Sequence, residues 1–228
     1  MRISYDEVIN SALKGEIPWK LARSGLTKIK VLSESVRDVE KKASLSYPPI
    51  IIEPVLKILI HEEGTESLVH GYVDVNKETS PPTLVVKLSL PFVLQGGKRL
   101  FKCVLSHELL HYIYFIYKVT SGDVLMMEQT LGNTFYSHLL FDEARSIPAE
   151  EVFKDKKVAL NLRKRCEKEL NNEKFLSKIL TSWIERGLPT IHLPEADFIV
   201  RLTPEEFLSI KVPEDLSDLL ERLKAMGL

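Results

Sequence analysis

His107, Glu108 and His111 are the residues of this chain whose types and spacing could do chemistry together. They stand in the run Ser106-His107-Glu108-Leu109-Leu110-His111, inside an apolar stretch from Leu100 to Tyr117. Two histidines four residues apart on a helix project from one face, one above the other. That spacing lets both imidazoles reach one metal ion, at about 2.0–2.1 Å each if it is zinc. Glu108 is turned roughly 100° from His107 around the helix. It can therefore act on a water at the metal without ligating the metal itself. A helix that is apolar nearly all round should be buried, and three polar side chains on it need partners or cost several kcal/mol in desolvation. A metal supplies two of those partners. The plainer reading is a core helix whose histidines bond backbone carbonyls while the glutamate faces water.

This stretch, H-E-x-x-H within an apolar helix, resembles the active-site helix of the zincin metallopeptidases. The resemblance covers the motif and roughly forty residues after it, enough for a superfamily and not for a particular family. It implies an α+β, zincin-like fold, with a small mixed sheet packed on the active-site helix. The activity it implies is zinc-dependent hydrolysis of peptide bonds, with His107 and His111 as ligands and Glu108 as general base. In such proteins an extended edge strand upstream of the helix aligns the peptide. Thr83-Leu84-Val85-Val86-Lys87-Leu88-Ser89-Leu90 alternates well enough to be that strand and has the right place in the order.

A catalytic zinc needs three protein ligands and one open position, and Glu128, His138, Asp142 and Glu143 are the downstream candidates. Glu128 is favoured by reach, if the motif helix runs two turns past His111 and folds back at about 1.5 Å per residue. Glu143 shares a helical face with Tyr136, Leu139, Leu140 and Ile147, so its carboxylate points where a helix buries itself and needs a cation. The segment Phe141-Asp142-Glu143-Ala144-Arg145 is also similar to the segment that holds the third ligand in several glutamate-zincins. It departs from them at Ile147, where those families often carry aspartate. Glu143 is the preferred ligand and Glu128 the runner-up. His138 and Asp142, four apart, read either as a local helix pair or as a carboxylate and a transition-state donor beside the metal. His61, His70 and His192 take surface or structural readings. Tyr112, Tyr114 and Tyr117 are expected to serve packing.

The elements that must position these residues follow from the chain in order. Ser4 opens a helix that stops at Gly15. Leu26 to Leu32 alternates as a short strand, and Ser33 to Ser44 reads as a charged amphipathic helix. Ile50 to Ile52, Val55 to Ile60 and Leu68 to Val75 read as strands, and Asn76 to Pro82 as a polar turn. Gly96-Gly97 breaks the chain before a motif helix at about Lys98 to Lys118. A second helical stretch is expected from the Ser121-Gly122-Asp123 turn to Ser146, interrupted at Gly132-Asn133. Further helices are expected over Asp155 to Leu170, Glu173 to Arg186, Thr203 to Ile210 and Glu214 to Met226, with a short strand at Asp197 to Leu202. The implied division is a catalytic domain over 1–150 and a helical extension over 151–228.

The 228 residues carry a formal charge of −1 and 44% hydrophobic residues. That is ample for a core and argues against nucleic acid as the main partner. Cys103 and Cys166 form no CxxC pair, which fits a reducing setting. Acidic residues near the amino terminus and the lack of a long apolar run point to a cytoplasmic protein without a membrane partner. The expected partner is a peptide or protein substrate. The rival from another class is a non-catalytic metal-binding or regulatory module on a zincin scaffold, and a third reading is a metal-free helical interaction protein.

Overall fold

The computed structural model describes residues 3–121, 135–136, 147–153, 168, 172–194, 199–200 and 204–227. Among these the fold is mixed α+β, with eight α-helices and nine strands. Strand β1 (Ile3–Ser4) leads into α1 (Asp6–Leu13) and the long helix α2 (Trp19–Ala43). Then come β2 (Ile50–Glu53), β3 (Leu56–Ile60), β4 (Glu66–Val69), β5 (Gly71–Asn76) and β6 (Thr83–Ser89). A short helix α3 (Leu90–Gln95) precedes the motif helix α4 (Lys98–Ser121). Beyond it lie β7 (Phe135–Tyr136), α5 (Ala149–Val152) and α6 (Glu173–Ile179), which continues as a π-helical turn over Leu180–Ile184. The chain closes with β8 (Thr190–Pro194), β9 (Ile199–Val200), α7 (Pro204–Ser209), a 3-10 turn at Glu214–Leu216 and α8 (Ser217–Ala225). No described helix is long and apolar enough to cross a membrane.

Residues 26–32 are helical, not the strand that their alternation predicts. They lie within α2, where Ala22, Gly25, Leu32, Val36, Val39 and Ala43 are buried at steps of three, four and seven. That stripe has the helical period over the whole length of the element. The local alternation spans only seven residues and yields to it. Ser44 ends the helix in the left-handed region, at φ 56, with its N–H bonded to Glu40 O.

Strands β1, β2, β6 and β5 form one sheet in that order. β1, β2 and β6 run parallel, and β5 pairs antiparallel with β6, Val73 opposite Val86. β6 is therefore an interior strand, between β2 and β5, which corrects the expectation that 83–90 form the edge. The edges of this sheet, among the described strands, are β1 and β5. A second sheet has the order β4, β3, β8, with β3 antiparallel to β4 and parallel to β8. The chain from Glu66 to Asn76 thus serves both sheets, β4 in one and β5 in the other, and His70 stands at the switch. Phe135–Tyr136 pairs with Ile199–Val200 as a strand, so the helix expected up to Ser146 does not include Tyr136.

One face of the first sheet carries a half-buried polar network. Glu53 Oε1 accepts from the Tyr72 hydroxyl at 2.7 Å and lies 3.3 Å from Lys57 Nζ and 3.4 Å from Lys87 Nζ. Lys87 also meets Asp74 at 2.9 Å. These contacts tie β2, β5 and β6 together across the sheet.

The opposite face packs on α4. Most of α4 is buried, from Leu100 through Val119, as a helix apolar nearly all round must be. Its partly open side runs through His107, Leu110, Tyr114 and Lys118. The buried Tyr47 hydroxyl donates to Leu105 O at 2.8 Å. β5 begins against the same helix at Gly71. A Cβ built there would lie 2.7 Å from Leu88 Cδ2 and 3.1 Å from Val104 Cγ1. Gly71→Ala should therefore overpack this contact and lower stability by about 1–3 kcal/mol. Urea unfolding checks it: the midpoint should fall with an unchanged slope, and an unmoved midpoint would contradict the close approach.

Candidate metal centre

His107, Glu108 and His111 lie within about one turn of α4, midway along its 24 residues. The rings of His107 and His111 meet edge to face, with centroids 4.5 Å apart and planes at 77°. Their Nε2 atoms are 2.9 Å apart. The two nitrogens thus converge on one point, as the four-residue spacing predicts.

Burial sets the electrostatics. His111 is 1% exposed and Glu108 5% exposed, while His107 is half-buried. Desolvation, with His107 beside it, pushes the His111 pKa down to about 3, so this imidazole is neutral and keeps a lone pair to offer. Desolvation raises Glu108 to about 8, so its carboxyl is protonated at neutral pH unless a positive charge lies near it. The buried Nδ1 of His111 has no hydrogen-bond partner among the described residues.

In front of the three residues lies a cavity of about 160 Å³. Its walls are Leu59 of β3, residues 67–71 where β4 passes into β5, and Val104, His107, Glu108 and His111 of α4. His70 belongs to this wall, which the sequence reading missed in treating it as structural. Its ring packs against Phe92 of α3 at 5.5 Å and Phe175 of α6 at 5.4 Å. It is 9% exposed, and its Nδ1 has no partner among the described residues. One signal pointed to it: Gly71 interrupts an apolar strand, and a glycine there marks close approach of another element. His61 and His192 keep surface readings, His61 Nε2 beside Ser67 Oγ at 2.9 Å and the exposed His192 Nδ1 3.6 Å from Glu66 Oε1. Tyr112 and Tyr117 are buried and Tyr114 half-buried, in keeping with packing.

The donor pair suits a divalent transition metal. Two nitrogens held by a tetrahedral zinc lie about 3.3–3.4 Å apart, so the pair would open by only a few tenths of an ångström. Without a metal, one Nε2–H can bond the other ring's lone pair, and that arrangement is open to two neutral imidazoles. Among the described residues no group of three His, Cys, Asp or Glu side chains is placed to hold a metal. The four candidates for a third ligand, Glu128, His138, Asp142 and Glu143, lie outside the described residues. No protein-family model, curated protein or solved structure matches the chain.

Burial of His70 has a measurable consequence. Its pKa is lowered to about 4 by desolvation, against about 6.5 in an unfolded chain. The unfolded state therefore takes up the proton first as pH falls. The stability linked to His70 is complete above about pH 6.5 and is lost towards pH 4, on the order of 2–3 kcal/mol. The stability difference between wild type and His70→Phe should shrink by that amount over this window. A difference that stays constant with pH would place a charged His70 in the folded protein.

Proposed function

We propose that this chain is a zinc-dependent peptidase in which His107, His111 and a third ligand hold the metal and Glu108 is the general base. Glu143 is the preferred third ligand and Glu128 the next. The observation that carries the reading is the convergence of two Nε2 atoms, 2.9 Å apart, beside a buried carboxyl and an open cavity. The resemblance of the motif and its apolar setting to the zincin helix supports the same conclusion.

When bound, zinc supplies a Lewis acid that polarises a carbonyl and lowers the pKa of water towards about 7. The roles of the protein's own groups follow from their surroundings. Glu108 accepts a proton from the attacking water and returns it to the leaving amine. Burial keeps that carboxyl protonated in metal-free protein, and a neighbouring positive charge favours the ionised form a base requires. The same burial links the two events: Glu108 becomes a base only when the imidazole pair is loaded. The apolar walls, Leu59, Leu68, Val69 and Val104, restrict water around the reacting groups. β5, an edge of the first sheet, and β4, an edge of the second, meet at the cavity wall, and the backbone of such an edge can align an extended peptide by strand addition. A cytoplasmic setting with a peptide or protein substrate completes the reading.

The alternative is a non-catalytic metal-binding or regulatory module on a zincin-like scaffold. Burial speaks for it: desolvation raises the Glu108 carboxyl to about 8, and a carboxyl held neutral in this way is a poor base unless a positive charge lies near it. Ligand counting separates the two. Three protein ligands leave an open position for chemistry, and four close it.

Two variants test the primary reading. Glu108→Gln should retain one zinc per chain by elemental analysis while losing roughly 10²–10⁴-fold in turnover of a peptide library read by mass spectrometry. Undiminished turnover would exclude Glu108 as the base. His107→Ala should lose the metal, and a full complement of zinc in that protein would remove the ligand assignment.

A further inference from the structure

A second cavity, of about 370 Å³, opens between the α3–α4 junction and the start of α6. It shares no lining residue with the cavity beside His107 and His111. Its volume falls within the range of about 300–1,000 Å³ typical of small-molecule sites. Its charge is one-sided. Lys98 and Arg99 stand on one wall and Lys174 and Lys178 on the other, and among the described residues no carboxylate lines it. The Lys98 ammonium is taken up by Glu34 and Asp38 of α2, at 3.6 and 3.5 Å. Lys174 and Lys178, both exposed, are engaged by no carboxylate of the described residues.

This placement is unfavourable on its own. Lys98 and Arg99 lie in the first turn of α4, which carries no acidic residue, and cations there oppose the helix dipole. Lys174 and Lys178 are four apart on α6, where like charges repel. An anion in the cavity relieves both. The walls are also held together. Phe175 packs edge to face on Phe92 of α3, with centroids 6.4 Å apart, and on His70. Gln95 Nε2 donates to Ser182 Oγ at 3.2 Å, joining the end of α3 to the turn that continues α6. Asn172 Oδ1 accepts from the N–H groups of Lys174 and Phe175 at 3.0 and 3.3 Å, which leaves its amide nitrogen to donate.

We propose that this cavity binds a small organic phosphate, its phosphate between Arg99 and the Lys174–Lys178 pair and its body against Leu100 and Phe175. A phosphate brings two charges and several acceptor oxygens, which match a guanidinium, two ammonium groups and an amide better than a single carboxylate does. A nucleic acid calls for a basic face, whereas here a chain of formal charge −1 gathers its cations around one recess. None of these groups takes part in the proposed zinc chemistry.

The test titrates the full chain with inorganic pyrophosphate by calorimetry at about 0.15 M salt. Wild type should bind with a Kd below about 1 mM. Lys174→Gln/Lys178→Gln should weaken binding about tenfold or more, through the loss of charge-assisted hydrogen bonds. Arg99→Gln, on the other wall, should weaken it as well. Arg222→Gln/Lys224→Gln in α8, which meets the far end of α4 at Thr120, removes the same charge as the first pair and should leave the affinity unchanged. Wild-type protein that binds no pyrophosphate, cavity variants that bind it as wild type does, or an equal loss in both double variants overturns the proposal. So does a short single-stranded oligonucleotide that binds more tightly than pyrophosphate, because the recess would then be part of a longer track for a polyanion.

Discussion

An α-helix with apolar side chains on nearly every side exists in water only if the rest of the chain wraps it. That requirement governs this molecule. α2 lies along α4, β5 and β6 cover another side, and Tyr47 reaches a carbonyl in the helix middle. Each layer removes apolar surface from water at about 25 cal/mol per Å². Each also takes water away from the three polar side chains the helix carries. The neutral His111 and the protonated Glu108 are products of that wrapping, not of any local motif. A cluster of polar side chains built this way is prepared by the hydrophobic effect, which strips His111 and Glu108 of water.

The sheet supplies the other half of the arrangement. Glu53, Lys57, Tyr72, Asp74 and Lys87 hold β2, β5 and β6 in register on the face away from α4. Of its charges Glu53 is the most deeply buried, and such a carboxylate stabilises mainly when it finds a partner. The network therefore anchors β5 at the place where Gly71 presses against Val104. Anchoring on one face and close approach on the other fix the height of His70 above the cavity. The floor of the site comes from a helix and its rim from a strand, and two unrelated forces, burial and ion pairing, keep them aligned.

Much of this was legible in the residues, and the failures have physical causes. The His107–His111 spacing specified the convergence, because four residues nearly complete a helical turn whatever surrounds them. Gly96-Gly97 marked the start of α4 for an equally local reason. Residues 26–32 were misread because a seven-residue alternation was weighed without the longer apolar stripe that overrides it. β6 was taken for an edge because strand order is set by pairings between distant segments, of which a single strand's pattern holds no trace. His70 was passed over for the same reason. Its place in the cavity wall comes from a switch between sheets and from Phe92 and Phe175, which reach it from α3 and α6. Of the third ligand only candidates could be read, since Glu128, His138, Asp142 and Glu143 each depend on how the chain returns to α4, and all four lie outside the described residues.

The parallel pairing of β3 with β8 has a consequence for the order of assembly. Leu56 through Ile60 find their second strand partner at Thr190 through Pro194, roughly 130 residues further along, so this ladder closes a large loop before it yields any contact energy. On a ribosome adding about 5–20 residues each second, β3 waits on the order of ten seconds with one side unpaired. Leu59, part of that waiting strand, is also a wall of the cavity beside His107 and His111. The nascent chain can therefore form α4 and bring its two imidazoles together well before the pocket around them is finished. Maturation of the site is timed by synthesis of a segment that contributes no donor atom to it.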